Sequence, residues 1–204
     1  MKIQQLEVFA GRKVLLCFAL VLSGALLGCS TTARHSSESR QSGLATNGLQ
    51  MFLSVLAAGD REDPEFEIVF RNMGEYDVSL NLGIMLANGK VQLPDKIHLQ
   101  LVDGSGKSRE LDFSDKRYPG IAGRVDDYVV PLRAGSIYTL KLRLDQFWSP
   151  GTEEFELKLK PGRYEVSARF QGDGATTGNP DMAGMKLMNY WKGKLQSNVV
   201  VIVE

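Results

Sequence analysis

Lys160-Pro161-Gly162-Arg163-Tyr164-Glu165-Val166-Ser167-Ala168-Arg169-Phe170 is the stretch that decides the fold. After the Pro-Gly turn signal, Tyr164, Val166, Ala168 and Phe170 alternate with Glu165, Ser167 and Arg169. Successive side chains of a strand point to opposite faces, so this is a strand with one apolar and one wet face. The same period of two recurs along the chain. Phe66, Ile68 and Phe70 share one face. Val78, Leu80 and Leu82 alternate with Asp77, Ser79 and Asn81, and Ile97, Leu99 and Leu101 with Lys96, His98 and Gln100. Tyr128, Val130 and Leu132 follow, then Tyr138, Leu140, Leu142 and Leu144, then Phe155, Leu157 and Leu159. The run Asn198-Val-Val-Val-Ile-Val203 is nearly continuous and reads as a strand covered on both faces. No amphipathic helix of ordinary length is present; short helical pieces are expected near Asp145–Trp148 and after Pro180. About nine or ten strands of this kind predict an all-β fold, two antiparallel sheets packed face to face, with a closed barrel as the alternative.

Turn chemistry separates the runs. Asn88-Gly89 suits a two-residue type I′ hairpin loop. Asp103-Gly104-Ser105-Gly106 closes the next hairpin, and Pro161-Gly162 fits the centre of a type II turn.

The chain has 204 residues, with 24 Lys+Arg against 24 Asp+Glu. That length is one domain or at most two, and the zero net charge argues against a nucleic-acid protein, whose binding face needs a cationic excess. A hydrophobic fraction of 43% is ordinary for a globular fold and too high for a disordered chain. Two cysteines exclude a disulfide framework and a cysteine-rich zinc site.

The first 28 residues read as an address. Lys2, Arg12 and Lys13 stand against Glu7, and Val14 to Gly28 is a run of 15 residues without a charge. As a helix it measures about 22 Å, short of the roughly 30 Å hydrocarbon core, so it is a secretion-signal h-region rather than a permanent span. It ends in Leu26-Leu27-Gly28-Cys29, which resembles the bacterial lipobox, with Leu27 a departure from the usual smaller residue. The resemblance implies cleavage before Cys29, acylation of the Cys29 thiol and new amine, and anchoring in a bacterial cell envelope. An ordinary signal peptide, or an uncleaved anchor with Cys29 a bystander, is the alternative. Ser30 is not the Asp that often signals retention in the inner membrane, which implies the outer membrane in a diderm cell. One acyl chain binds a bilayer marginally; the several chains of such an anchor hold essentially permanently. Cleavage leaves 21 Lys+Arg against 23 Asp+Glu and, with Cys29 capped, no free thiol. Residues 29–48 are polar and Ser/Thr-rich and form a tether whose ends lie about 25 Å apart as a flexible coil. The domain then occupies 49–204. His35 falls in the tether and reads as a solvated side chain.

Within the domain, Phe70-Arg-Asn-Met-Gly-Glu-Tyr-Asp-Val-Ser-Leu80 resembles the opening of Ig-like sandwich modules, and Leu101-Val-Asp-Gly-Ser-Gly-Lys107 their central hairpin. Leu132-Arg-Ala-Gly135 and Leu159-Lys-Pro-Gly162 resemble their Leu-x-x-Gly strand starts. The spacing over roughly Glu65 to Phe170 is similar to the BsuPI-type proteinase-inhibitor domain. The resemblance implies an Ig-like sandwich and offers proteinase inhibition as one function.

The residues themselves carry no catalytic set. His98 is the sole histidine of the domain and falls on a polar strand face. There is no Gly-x-Ser-x-Gly elbow, no Walker A sequence and no dinucleotide fingerprint, and no cofactor or metal is expected. Asp126-Asp127 and Glu153-Glu154 are adjacent and so point to opposite faces of a strand, poor geometry for acid/base work. Asp173, Asn179 and Asp181 lie in a glycine-rich loop without an EF-hand spacing, and read as solvated. That loop, Gln171 to Asn189, is long enough to expect function or flexibility. Two aromatic pairs remain, Phe147-Trp148 and Tyr190-Trp191. They either plug the ends of the sandwich or form an exposed platform, Trp148, Tyr190 and Trp191, for a glycan or a protein. The expectation is therefore a lipid-anchored, non-enzymatic envelope protein with an interaction domain for an envelope protein or polysaccharide. A proteinase inhibitor and a carbohydrate-binding module or weak glycosidase are the alternatives.

Overall fold

The computed structural model describes residues 43–56, 63–86, 89–114, 124–150, 157, 159–175 and 189–204. Cys29, the signal, residues 30–42 of the tether, Glu153, Glu154, Phe155, Asn179 and Asp181 lie outside the described residues; the expected tether ends earlier than Gly48, because Gly43 is buried, Thr46 bridges to Leu49 and Asn47 donates to Lys192 O. Among those described, the architecture is all-β and antiparallel. The strands are β1 (Leu49–Leu56), β2 (Glu65–Asn72), β3 (Val78–Leu86), β4 (Val91–Leu93), β5 (Ile97–Asp103), β6 (Ser108–Phe113), β7 (Asp126–Leu132), β8 (Ile137–Arg143), β9 (Phe147–Trp148), β10 (Arg163–Gly172), β11 (Gly193–Gln196) and β12 (Val200–Val203). The only regular helical piece among them is a single 3-10 turn, Leu144–Gln146, in the region expected to be helical. The described residues alone hold twelve strands where about nine or ten were expected, because the short strands β4, β9 and β11 carry too few residues to show a period.

One sheet has the order β1-β2-β8, and the large sheet runs β11-β10-β5-β6-β9, with β12 continuing β11 along the same edge of β10. With β1, β2 and β8 as strands A, B and E and β11, β10 and β5 as strands G, F and C, this pairing is the order of Ig-like sandwiches. In a third sheet, β4-β3-β7, strands β3 and β4 fall between β2 and β5 in the chain and β7 falls between β6 and β8. The alternating residues of the two main sheets meet in a continuous core. Phe70 of β2 stands edge-on to Phe170 of β10 with ring centroids 5.1 Å apart. Tyr164, at the start of β10, donates its hydroxyl to the Lys160 carbonyl at 2.8 Å, the tyrosine-corner device that pins the F strand of Greek-key sandwiches.

Four readings are corrected. Leu86 pairs with Val91, which leaves a four-residue connection between β3 and β4 rather than a two-residue I′ loop. Gly162 is not at the positive-φ position of a type II turn; its N–H and C=O pair with Glu204. Leu157 and Leu159 pack on the core without forming a strand. The run at 198–203 is an edge: β12 pairs with β10 alone, and Val203 stays 76% exposed.

Asn81 also departs from its expected outward face. A bulge between Asn81 and Ile84 turns its side chain in, where it donates to Gly174 O at 2.6 Å and Asp127 Oδ1 at 3.2 Å and accepts from Gly83 N at 3.1 Å. Leu80, Asn81, Leu82 and Gly83 are all buried, so β3 is covered on both faces, and its edge opposite β7 is met by the chain near Tyr190: Ser79 N donates to Asn189 O and Trp191 N to Ser79 O. A strand covered on both faces needs internal partners for its polar groups.

Candidate functional site

The outer face of the large sheet concentrates the domain's polar chemistry. Directly paired residues of antiparallel strands project to the same side. Arg169 pairs with Gln196 of β11 and with His98 of β5; His98 pairs with Asp112 of β6; Asp112 pairs with Trp148 of β9. Gln196, Arg169, His98, Asp112 and Trp148 thus form one row across five strands. With an interstrand spacing of about 4.8 Å, the row is about 19 Å long. Ser167, Gln100 and Glu110 form a second row beside it. The inward neighbours Ile97, Leu99, Ala168 and Phe170 are buried core residues, and they hold the sheet rigid beneath the row.

The side chains of this face are bonded to one another. His98 Nδ1 lies 2.7 Å from Asp112 Oδ1. Arg169 Nη2 donates to Gln100 Oε1 at 2.7 Å, and its Nη1 is 3.9 Å from Glu110 Oε1. Arg163 faces Glu165 at 3.8 Å. Charge is compensated locally, while much of each planar polar group still faces water. A cleft of about 420 Å³ opens here, lined by His98, Glu110, Arg169, Gln171, Lys194 and Gln196. That volume falls within the range of small-ligand sites.

The His98–Asp112 contact is the way a carboxylate orients a catalytic imidazole. No described residue offers a hydroxyl or thiol hydrogen-bonded to the other ring nitrogen. Among the described residues, no three His, Cys, Asp or Glu side chains gather as a metal site. No described helix is long and apolar enough to cross a membrane.

The expected aromatic platform divides. Trp148 lies on the outer face, at the end of the row, partly exposed. Trp191 is 4% exposed and belongs to the core: its ring stacks on Phe170 at 5.8 Å, and its Nε1 donates to the carbonyls of Thr46 and Asn47, each at 3.2 Å. Its role as a surface group is corrected; it plugs the sandwich. Tyr190 bridges to Ser79 beside it, with its hydroxyl buried and unpaired. Burial, and then the negative charge of Asp127, push that phenol above its usual range. Asp126 and Asp127 do point apart, Asp126 to Arg124 and Asp127 to Asn81. Asp173 accepts from Gln171 at 3.1 Å at the margin of the cleft.

Arg169, Gln100, Glu110, Asp112 and Gln196 were not singled out from sequence. Each is the polar member of an alternating strand, and only the register shows that they meet. No protein-family model and no curated protein matches the chain.

Proposed function

We propose that this chain is a lipid-anchored protein of the bacterial cell envelope, directed to the outer membrane where there is one, with a non-catalytic sandwich that binds an envelope component through the outer face of its large sheet. The register that aligns Gln196, Arg169, His98, Asp112 and Trp148 beside a cleft of about 420 Å³ carries the binding half of this reading. Leu26-Leu27-Gly28-Cys29 after an uncharged run, followed by a polar tether, carries the anchoring half. The non-catalytic part of the reading is supported by two features: among the described residues no hydroxyl or thiol is hydrogen-bonded to the imidazole, and Glu110 and Asp112 are each engaged by a cationic or imidazole partner.

Mass spectrometry of the protein extracted from membranes tests the anchor. The expected N-terminus is an acylated Cys29, and Cys29→Ser is expected to abolish cleavage and acylation. A Cys29→Ser chain processed to the same mass as the native one overturns the anchoring. In-envelope cross-linking from position 148 tests the face, with position 67 on the other sheet as control. Equal capture from both positions overturns the choice of face.

A further inference from the structure

We propose that the outer face of the β1-β2-β8 sheet docks on a second copy of this chain, β2 against β2, about a two-fold axis that passes over Val69. The interface is separate from the outer face of the large sheet, and three observations carry it.

The first is the pattern of the face. Alternation places Glu65, Glu67, Val69 and Arg71 of β2 on the outside, above the buried Phe66, Ile68 and Phe70. The register sets Phe52 and Thr139 beside Val69, Ser54 and Lys141 beside Glu67, and Gln50 and Ile137 beside Arg71. A cleft of about 380 Å³ opens over Phe52 and Val69, with Glu67 and Ser54 at one end and Arg71 and Ile137 at the other. Ile137 stands 62% exposed. An apolar centre inside a polar rim is the anatomy of a protein interface.

The second is unpaired charge. On the large sheet, Arg169 has Glu110, Arg163 has Glu165 and His98 has Asp112. On this face neither Glu67 nor Arg71 has an ion-pair or hydrogen-bond partner among the described residues. Lys141, opposite Glu67 on β8, does not come within ion-pair distance of it. Glu67 and Arg71 lie four residues apart on one strand, about 13 Å, too far to pair with each other.

The third is symmetry. Glu67 and Arg71 stand two residues to either side of Val69. When two such faces meet about an axis along the row Phe52, Val69, Thr139, the two β2 strands run antiparallel. Val69 then meets the partner's Val69, and Arg71 of each copy meets the partner's Glu67, so the contact is made twice. An axis along β2 instead sets Glu67 on the partner's Glu67 and Arg71 on the partner's Arg71, which like-charge repulsion disfavours. The charges therefore select a second copy in one orientation. Sheets packed face to face lie about 10 Å apart with strands about 30° from aligned, a gap that an Arg and a Glu side chain bridge from opposite sides. Three strands about 14 Å wide and seven residues about 23 Å long give a flat footprint of about 330 Å², against about 800 Å² per partner in a standard interface. The pair is therefore weak and forms at high local concentration.

The test is sedimentation equilibrium of the full chain in density-matched detergent at rising protein concentration. A reversible monomer–dimer equilibrium is expected. Arg71→Glu and Glu67→Arg each set like charges together at both symmetric contacts, and each is expected to weaken the dimer about tenfold. The double variant Arg71→Glu/Glu67→Arg exchanges the charges and is expected to recover the native affinity. Photo-cross-linking from position 69 is expected to give a product of twice the chain mass. A single species of chain mass up to about 1 mM overturns the inference, as do dimers unaltered by both single reversals or a double variant no tighter than the singles. Capture of a different protein from position 69 overturns it as well. Urea midpoints of each variant separate lost pairing from lost fold. Position 67 in the envelope is expected to give the same doubled chain, whose mass sets it apart from an envelope component caught from position 148, so the two readings fail separately.

Discussion

The side-chain amide of Asn198 pairs with the main chain of Leu53 as a neighbouring strand would: Leu53 N donates to Oδ1 and Nδ2 donates to Leu53 O, each at 2.9 Å. β1 is the edge of its sheet, and the Leu53 groups point away from β2. Asn198 sits in the break between β11 and β12, where Ser197 keeps hold of β10 through Ala168 while Asn198 turns across to β1. One side chain thereby ties the two sheets along a seam that has no ladder. Asn198→Ala leaves two part-buried main-chain groups without partners. The expected loss is about 1–3 kcal/mol, read as a lower urea midpoint at unchanged slope. Asn198→Asp keeps the acceptor for Leu53 N but sets a carboxylate against Leu53 O, so it recovers only part of the loss. An unchanged midpoint in the alanine variant would show that the seam holds without this pair.

The bulge in β3 depends on Gly83. Its φ of 148° is one that side-chain-bearing residues rarely adopt, and an added Cβ would meet Leu93 O at 2.3 Å and Asp95 Oδ1 at 2.4 Å. The Asp95 carboxylate can swing away, but Leu93 O and Asp95 N, the latter 2.7 Å from the added Cβ, are backbone atoms, so the strand must shift. Gly83→Ala is expected to cost about 2–4 kcal/mol. Gly106→Ala, at φ 84° with nothing within 4 Å of the new methyl, should cost only the backbone strain of about 1–2 kcal/mol. Equal midpoints for the two variants would contradict the close packing at Gly83.

The two tryptophans should separate in a single experiment. Trp191→Ala empties a core position against Phe170 and is expected to cost about 3–5 kcal/mol. Trp148→Ala, at a partly exposed edge strand, should cost about 1 kcal/mol or less. In fluorescence, the Trp191 signal of the Trp148→Ala variant should resist acrylamide. Ready quenching of that signal would place Trp191 at the surface.

Tyr128 and Tyr138 share a hydrogen bond between hydroxyls 2.6 Å apart. Burial, and then that bond, raise the Tyr128 phenol well above its usual value of 10.0. The unfolded chain therefore gives up this proton at a lower pH than the folded one. The stabilisation is complete below the unfolded value and is lost as pH climbs beyond it toward the higher folded one. The native chain should lose denaturant resistance between about pH 9 and pH 11 more steeply than the Tyr128→Phe/Tyr138→Phe double variant. Parallel pH profiles would remove the pair from the account.

Much of the fold is legible because a half-buried strand must alternate. Phe66, Ile68 and Phe70, or Ile97, Leu99 and Leu101, face the core as their spacing predicts. The failures have specific causes. Asn81 follows the alternation of a two-faced strand, yet β3 is covered on both sides and bulged, so the asparagine turns inward and satisfies neighbouring main-chain groups. The valines at 199–203 look like a buried strand, yet their hydrophobicity meets only one partner strand. The Tyr190-Trp191 dipeptide reads equally well as core or platform, and its burial is set by Phe170, which lies far from it in the chain.

By itself the sequence determined that this chain forms half-buried antiparallel strands, because period-two hydrophobicity is a local property of a few neighbouring residues. It also spells out a cationic leader, an apolar run and a cysteine in order. Only the tertiary structure decided which strands lie side by side. His98 and Asp112 meet 2.7 Å apart because β5 and β6 pair in that register. A slip of one residue would turn one partner to the opposite face. The polar row exists in that register and nowhere in the linear order of the chain.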